Sequence, residues 1–243
     1  MNQQLRADVA AGAMPPPAEP GQACRGFFTR CRRRARVVER GAGLIAEGEA
    51  APGAVWVLSG SVGLRKTLLD GRSVLFDLLF PVDVVHPVAV DLWSSEFEAV
   101  ARDTSLVAVF TRDESARAEN GTAGVADLVE RLAAAGRARR SERMLRALQG
   151  RGEERVAFLL LELALRTDRR AVRDGRSCHL RLSQRAMGEM LGLSAVHVCR
   201  VMTRLAERGL VRVERGCVEV RDITALADVA QADPAALARA ILV

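Results

Sequence analysis

The most constraining stretch of the chain runs from Ser183 to Val220. There, two short apolar stripes at helical spacing lead straight into two β-runs joined at a glycine turn. Ser183 is suited to cap a first helix, because its hydroxyl can accept an otherwise orphaned amide of the first turn. Ala186, Met187, Met190 and Leu191 give that helix its buried face, and Gly192 supplies the left-handed conformation that stops it. Ser194 caps a second helix, whose inward face reads Val198, Val201, Met202 and Leu205 and which Gly209 closes. Two short helices joined by about four residues around a glycine form a helix–turn–helix. Leu210 to Val213, a turn at 214–216 and Val218 to Val220 then read as a hairpin, which in this position is a wing. Helix–turn–helix plus wing is far more specific than either part alone, and it predicts double-stranded DNA as a partner.

In such a domain the second helix lies in the major groove and offers its N-terminal residues to base edges. Ala195, Val196, His197 and Arg200 fall on that outward face, with Arg204 one turn further. Arg200 is the best base reader, since a guanidinium fits guanine O6 and N7 as a bidentate pair. His197 can donate to a base acceptor or a phosphate, and Ala195 or Val196 can touch a thymine methyl. Ser183, Gln184 and Ser194 stand where hydroxyls, amides and helix N-termini meet phosphates. Arg212 and Arg215 in the wing are further phosphate candidates. Arg204 reads equally well as a solvated residue or as the ion-pair partner of Glu207.

Upstream the text changes twice. Residues 1–23 are rich in Ala, Pro, Gly and Gln and read as a flexible arm, followed by a densely basic stretch from Cys24 to Arg36 that reads as a solvated helix face. From about Val37 to Phe110 short apolar runs alternate with turns. Runs at 55–58, 62–64, 74–80 and 106–110 are expected strands, and Asp70-Gly71 is expected to form a two-residue primed hairpin turn. Many short strands of this kind suggest a small antiparallel barrel or sandwich. After Thr111 the period becomes helical. Val125, Leu128, Leu132 and Ala135 form a narrow seam that Leu145 and Leu148 resume, as expected of a long dimerisation helix over 121–150. Packing on its own barrel explains the same seam, and both can hold for different turns. Gly150 and Gly152 read as a hinge before an apolar core helix from Glu153 to Arg166. His179 to Leu182 is a further short strand, and Asp233-Pro234 is expected to open the last of the short helices after Asp222.

Composition narrows the function class. Lys and Arg total 36 against 30 Asp and Glu, a net charge of +6, with Lys66 the only lysine. A polyanionic partner and a general bias toward Arg both fit that balance, so the location of the charge has to decide. Aromatic residues make up 4% and Tyr is absent, which argues against stacking on single-stranded nucleic acid. No apolar run reaches about 18 residues and no signal peptide is visible, so no membrane span and a cytoplasmic location are expected. The five cysteines are scattered and do not resemble a disulfide framework. His86, His179 and His197 show no metal-ligand spacing. Without a nucleophile motif, phosphate loop or metal site the chain is not expected to be an enzyme. Cys199, beside Arg200 in the reading helix, fits a small packed residue or a redox-sensitive thiol whose oxidation would disturb the DNA surface.

From about Arg36 to Asp222 the chain resembles the Crp/Fnr family of bacterial transcription regulators. The resemblance is strongest in Glu153-Glu-Arg-Val-Ala-Phe-Leu-Leu and from Leu182 to Val211. In the N-terminal half it is carried by Glu47-Gly48-Glu49, Val57-Leu-Ser-Gly-Ser-Val62 and Asp70-Gly-Arg72. It implies an α+β fold: a cyclic-nucleotide-binding-type β-roll over 24–120, a long dimerisation helix over 121–150 and a winged helix–turn–helix over 151–243. It also implies a homodimer on two-fold symmetric DNA, with RNA polymerase as a partner. Cyclic-AMP-binding members carry a Gly-Glu segment followed by an Arg that grips the cyclic phosphate. Residues 84–100 contain neither the pair nor any Arg, so cyclic AMP is not expected to bind in the usual way. The oxygen-sensing members hold an iron–sulfur cluster on four cysteines, whereas only Cys24 and Cys31 lie in the N-terminal half here, so no cluster and no other cofactor is expected. Ala195 and Val196 stand where the family's well-known activator has an Arg and a Glu, so a different operator is expected. The competing reading is an effector-binding or redox-responsive dimer whose winged helix mainly makes protein contacts.

Overall fold

Among the described residues, eight short strands, two long helices and a helix-rich segment with its own three-stranded sheet follow one another. The structure, a computed structural model, describes residues 29, 32–49, 53–81, 83–85, 95–111, 125–168, 172, 174–214 and 216–241. The expected arm at 1–23, Cys24, Cys31, His86 and Arg215 lie outside the described residues, and of Val125 only the backbone is described. The chain forms two compact units, one reaching residue 133 and one running from 134 to 242.

In the first unit the strands are β1 (Arg36–Val38), β2 (Gly43–Ile45), β3 (Gly53–Ser59), β4 (Val62–Thr67), β5 (Ser73–Leu79), β6 (Val84–Val85), β7 (Glu98–Ala101) and β8 (Ser105–Thr111). They make two four-stranded sheets, ordered β1-β8-β3-β6 and β2-β7-β4-β5, and every pairing is antiparallel. Inward-facing aliphatics from both sheets, among them Val55, Val57, Val62, Leu64, Ala99 and Val107, share one core. β3, β4, β5 and β8 are the runs expected from sequence. β1, β2, β6 and β7 span two to four residues, too short for a period-2 pattern to register.

The β4–β5 hairpin corrects the expected turn. Leu68 N–H donates to the Arg72 carbonyl at 2.8 Å and Gly71 N–H to that of Leu68 at 2.9 Å, which leaves a three-residue loop. Gly71 has φ +80°, whereas Asp70 is not among the positive-φ residues. A primed two-residue turn needs positive φ at both centres; a type I turn followed by one left-handed glycine needs it once. Asp70 instead accepts the Arg72 N–H at 3.0 Å, the bond its short side chain makes without left-handed backbone. Gly60, at φ +82°, is needed for a different reason. A Cβ there would collide with Ser105 and Asp103, the two side chains that accept the Ser61 amide at 3.1 and 2.7 Å.

Helix α1 (Val125–Gln149) spans the division between the units, and α2 (Gly152–Thr167) follows. Within the second unit α2 is the central core element, with Val156 to Arg166 all buried. Strand β9 (Cys178–Arg181) begins one residue earlier than expected, and it leads into α3 (Gln184–Leu191) and α4 (Ala195–Glu207). Then come β10 (Val211–Glu214), β11 (Cys217–Val220), α5 (Ile223–Val229) and α6 (Pro234–Ile241). The sheet order β10-β11-β9 makes the hairpin part of a three-stranded antiparallel wing sheet, a pairing the sequence reading had not assigned. The fold is therefore α+β, with a β-sheet domain first and a helix–turn–helix with its small wing sheet last. Among the described residues no helix is long and apolar enough to cross a membrane.

Candidate nucleic-acid interface

Both helices of the helix–turn–helix are capped as their sequence dictates. Ser183 Oγ accepts the Ala186 amide at 3.1 Å, and Ser194 Oγ accepts the His197 amide at 3.2 Å. Gly192 ends α3 at φ +62°. On α4, Val198, Val201, Met202 and Leu205 are buried to 2% exposure or less. Burial of each such side chain contributes about 1.5–3 kcal/mol relative to leaving it in water. On α3 the buried set is Ala186, Met187, Gly188 and Leu191, while Met190 is only half-buried. Gly188 takes the closest approach, since a Cβ there would stand 2.5 Å from the Leu193 carbonyl oxygen in the turn between the helices. That contact joins residues five apart across a bend, and a helical period cannot show it.

With the inward face of α4 fixed, its outward face follows at three- and four-residue spacing. Val196, Arg200, Thr203 and Glu207 lie opposite the core stripe, and all are exposed, Val196 to 62%. Ala195, His197, Cys199 and Arg204 flank this line, also exposed. Thr203 is an addition to the residues expected to face DNA; it turns its hydroxyl back to the Cys199 carbonyl at 3.1 Å. Arg200 and Arg204 make no ion pair with any described residue, and the Arg204–Glu207 pair weighed from sequence does not form. The caps use Ser183 and Ser194 as acceptors only, so each hydroxyl proton remains free to donate outward. Gln184, at the start of α3, is half-buried.

The wing is electrostatically mixed. Arg212 is exposed on β10 but paired with Glu214. His179 and Arg181 of β9 and Cys217 and Glu219 of β11 share the same outer face of the sheet. A hydrogen bond from Arg221 at 3.1 Å holds the Glu219 carboxyl below the usual carboxylate range, so it stays ionised. Arg212 and Arg221 are thus each matched by a neighbouring carboxylate, whereas Arg200 and Arg204 on α4 have none among the described residues.

The first turn of α2 reaches both helices of the helix–turn–helix. Arg155 donates to the Leu191 carbonyl at the end of α3, Glu153 pairs with Arg208 just past α4, and the His197 ring lies against Gly152. His197, expected as an outward donor, therefore also faces the start of α2.

The three described cysteines are free thiols, and among the described residues no His, Cys, Asp or Glu cluster could hold a metal ion. Burial pushes the Cys178 thiol up, partly offset by Thr167, whose hydroxyl lies 3.5 Å from the sulfur. Cys199 is exposed. At neutral pH an alkylating reagent is expected to label Cys199 well before Cys178, which peptide mass spectrometry would read directly; equal rates would mean that the second unit opens at β9.

Along α1 the seam divides. Leu128, Leu132 and Ala135 are buried within the single chain, at 3, 6 and 4% exposure, whereas Met144, Leu145 and Leu148 are open at 58, 53 and 70%.

Comparison with known proteins agrees with this geometry. Residues 154–229 match the Crp-like helix-turn-helix domain. The Cyclic AMP receptor protein of Thermus thermophilus is 29% identical over 198 residues, covering 80% of this chain and 87% of its own. The structure of FixK2 from Bradyrhizobium japonicum is similar at a TM-score of 0.66 and 26% identity, covering 80% of this chain and 96% of that one. A transcriptional regulator of the CRP/FNR family, also from Thermus thermophilus, shares the fold at a TM-score of 0.64 and 18% identity, covering 82% of this chain and 98% of that one. β-sheet domain, long helix and winged helix–turn–helix stand here in the order found in these proteins: the chain is similar to transcription regulators of the Crp/Fnr family and carries a Crp-like DNA-binding helix–turn–helix.

Proposed function

We propose that the chain acts as a homodimer on a two-fold symmetric operator, with Arg200 as the principal base reader and RNA polymerase as the downstream partner. The observation that carries this reading is the outward line of α4. The guanidinium of Arg200, without an ion pair among the described residues, lies between an exposed Val196 and Thr203, opposite the buried stripe of a capped helix. Ser183, Gln184, Ser194, Arg204, Arg212 and Arg215 serve as phosphate contacts, and Ala195 and Val196 as apolar contacts to thymine methyls.

The dimer contact falls on the last turns of α1. Met144, Leu145 and Leu148 form an apolar patch that water solvates poorly in a lone chain. Leu128, Leu132 and Ala135, buried already, support the helix from within and extend the contact only at its flank. The division into β-roll, dimerisation helix and winged domain at 24–120, 121–150 and 151–243 belongs to the same proposal.

A relative named for cyclic AMP does not carry that ligand over. Residues 84–100 of this chain lack both the Gly-Glu pair and the Arg that would offset a buried phosphate, so the effector domain takes a different signal or none.

Selection from a random DNA pool with the purified, reduced, ligand-free protein tests this reading. Enrichment of an inverted repeat is expected, with half-sites about 34–36 Å apart, and binding that falls steeply with salt. Recovery of only non-repeating sequences, or of none, would overturn it. The variant Leu145→Glu/Leu148→Glu is expected to sediment as a monomer and to lose operator binding while retaining its helical circular dichroism.

A further inference from the structure

Gly152 is the first residue of α2, two positions after the glycine that ends α1. The imidazole of His197 occupies the space where a side chain at 152 would begin. A Cβ on Gly152 would overlap His197 Nε2, and ring atoms Cδ2 and Cε1 would stand 3.1 and 3.2 Å away; the three nearest atoms all belong to this ring. Two further contacts join the same turn of α2 to the helix–turn–helix: Glu153 with Arg208 at the C-terminal end of α4, and Arg155 with the Leu191 carbonyl at the end of α3. The start of α2 thus grips α4 near both ends and α3 at its end, all within one compact unit. His197 is the point nearest the N-terminal turn of α4, which presents Val196 and Arg200.

We infer that His197 is a positioning residue: its ring seats the N-terminal turn of α4 on Gly152, so that the placement of the segment leaving α1 sets the placement of the base-reading side chains. This rests on the DNA-reading role proposed for α4. A side chain at 152 would push the exposed His197 ring out of this seat and so remove the contact that steadies the turn carrying Val196 and Arg200. His197 then acts on specificity through Arg200 rather than by touching a base.

A double-mutant cycle of Gly152→Ala and His197→Ala tests it in two independent readouts. In thermal unfolding without DNA, Gly152→Ala is expected to lower Tm in the wild-type background. It is expected to raise Tm in the His197→Ala background, where the space is empty and alanine restricts the unfolded chain more than glycine does. On the operator obtained by selection, Gly152→Ala is expected to weaken specific binding about tenfold with His197 present, and by less than about twofold without it. His197→Ala is expected to leave the preferred base at every operator position unchanged. Additive effects on Tm, or a changed base preference in His197→Ala, would overturn the inference. If no operator is selected, the DNA-reading role fails, while the sign of the Tm cycle still decides whether Gly152 and His197 share one seat.

Discussion

Replacing Glu162 by glutamine is expected to lower the unfolding free energy of the second unit by roughly 3–5 kcal/mol. The carboxylate has no solvent exposure, and it accepts a hydrogen bond from Arg166 Nη1 at 3.0 Å within α2. Its other oxygen lies 3.2 Å from Arg143 Nε on α1, and the two guanidinium groups are themselves only 5 and 3% exposed. Placing three charged groups out of water is tolerated only while opposite charges remain in contact. Glutamine keeps the volume and one acceptor but removes the negative charge that both guanidinium groups face, in a medium that screens charge poorly. The matched control is Glu142→Gln. Its ion pair with Arg146 is an i,i+4 contact on α1 with side chains 20 and 37% exposed, and its loss is expected to change stability by about 0.5 kcal/mol or less. Urea unfolding of both variants followed by far-UV circular dichroism gives the comparison. Equal small effects would mean that water reaches Glu162 and that the pair does not hold α1 to α2.

Glu162 also shows where sequence reasoning stopped. The apolar stripe of the helix was plain, and so was its place in the core, but a glutamate inside it reads from sequence as the polar edge of an amphipathic helix. Only the approach of Arg143, nineteen positions away, turns it into the centre of a buried ion network. Gly152 and His197 are alike in this: each was noticed, one as a hinge glycine and the other as a donor, and their contact across 45 positions is invisible to any local pattern. What was legible rested on local chemistry. The caps at Ser183 and Ser194, the stop at Gly192 and the proline opening α6 all act within four residues, and each forms as expected. The turn at Asp70-Gly71 was located but mistyped, because the dipeptide favours a primed turn and the choice between two- and three-residue loops is made by the pairing of Leu68 with Arg72. The seam of α1 was seen as one stripe. Its division into covered and open turns depends on what the rest of the chain places over Leu128 to Ala135.

Arg200→Ala is expected to abolish operator preference while leaving general DNA affinity largely intact. A bidentate guanidinium–guanine pair contributes about 1–3 kcal/mol of discrimination, and a two-fold operator doubles it, so specific affinity should fall by roughly thirtyfold or more. Lysine at 200 should not restore it, because an ammonium cannot make the planar two-point contact. Arg204→Ala provides the contrast. Arg204 is also exposed and has no ion pair among the described residues but lies off the outward line, so its loss should weaken binding to all sequences alike and reduce the salt slope by about 0.9 per phosphate contact removed. Titrating both variants against the selected operator and a scrambled duplex at several salt concentrations separates the two roles. A uniform loss in Arg200→Ala, with specificity unchanged, would move base reading to Val196 and Thr203. The operator would then be distinguished by thymine methyls, since neither of those side chains can make the two-point contact that picks out a guanine.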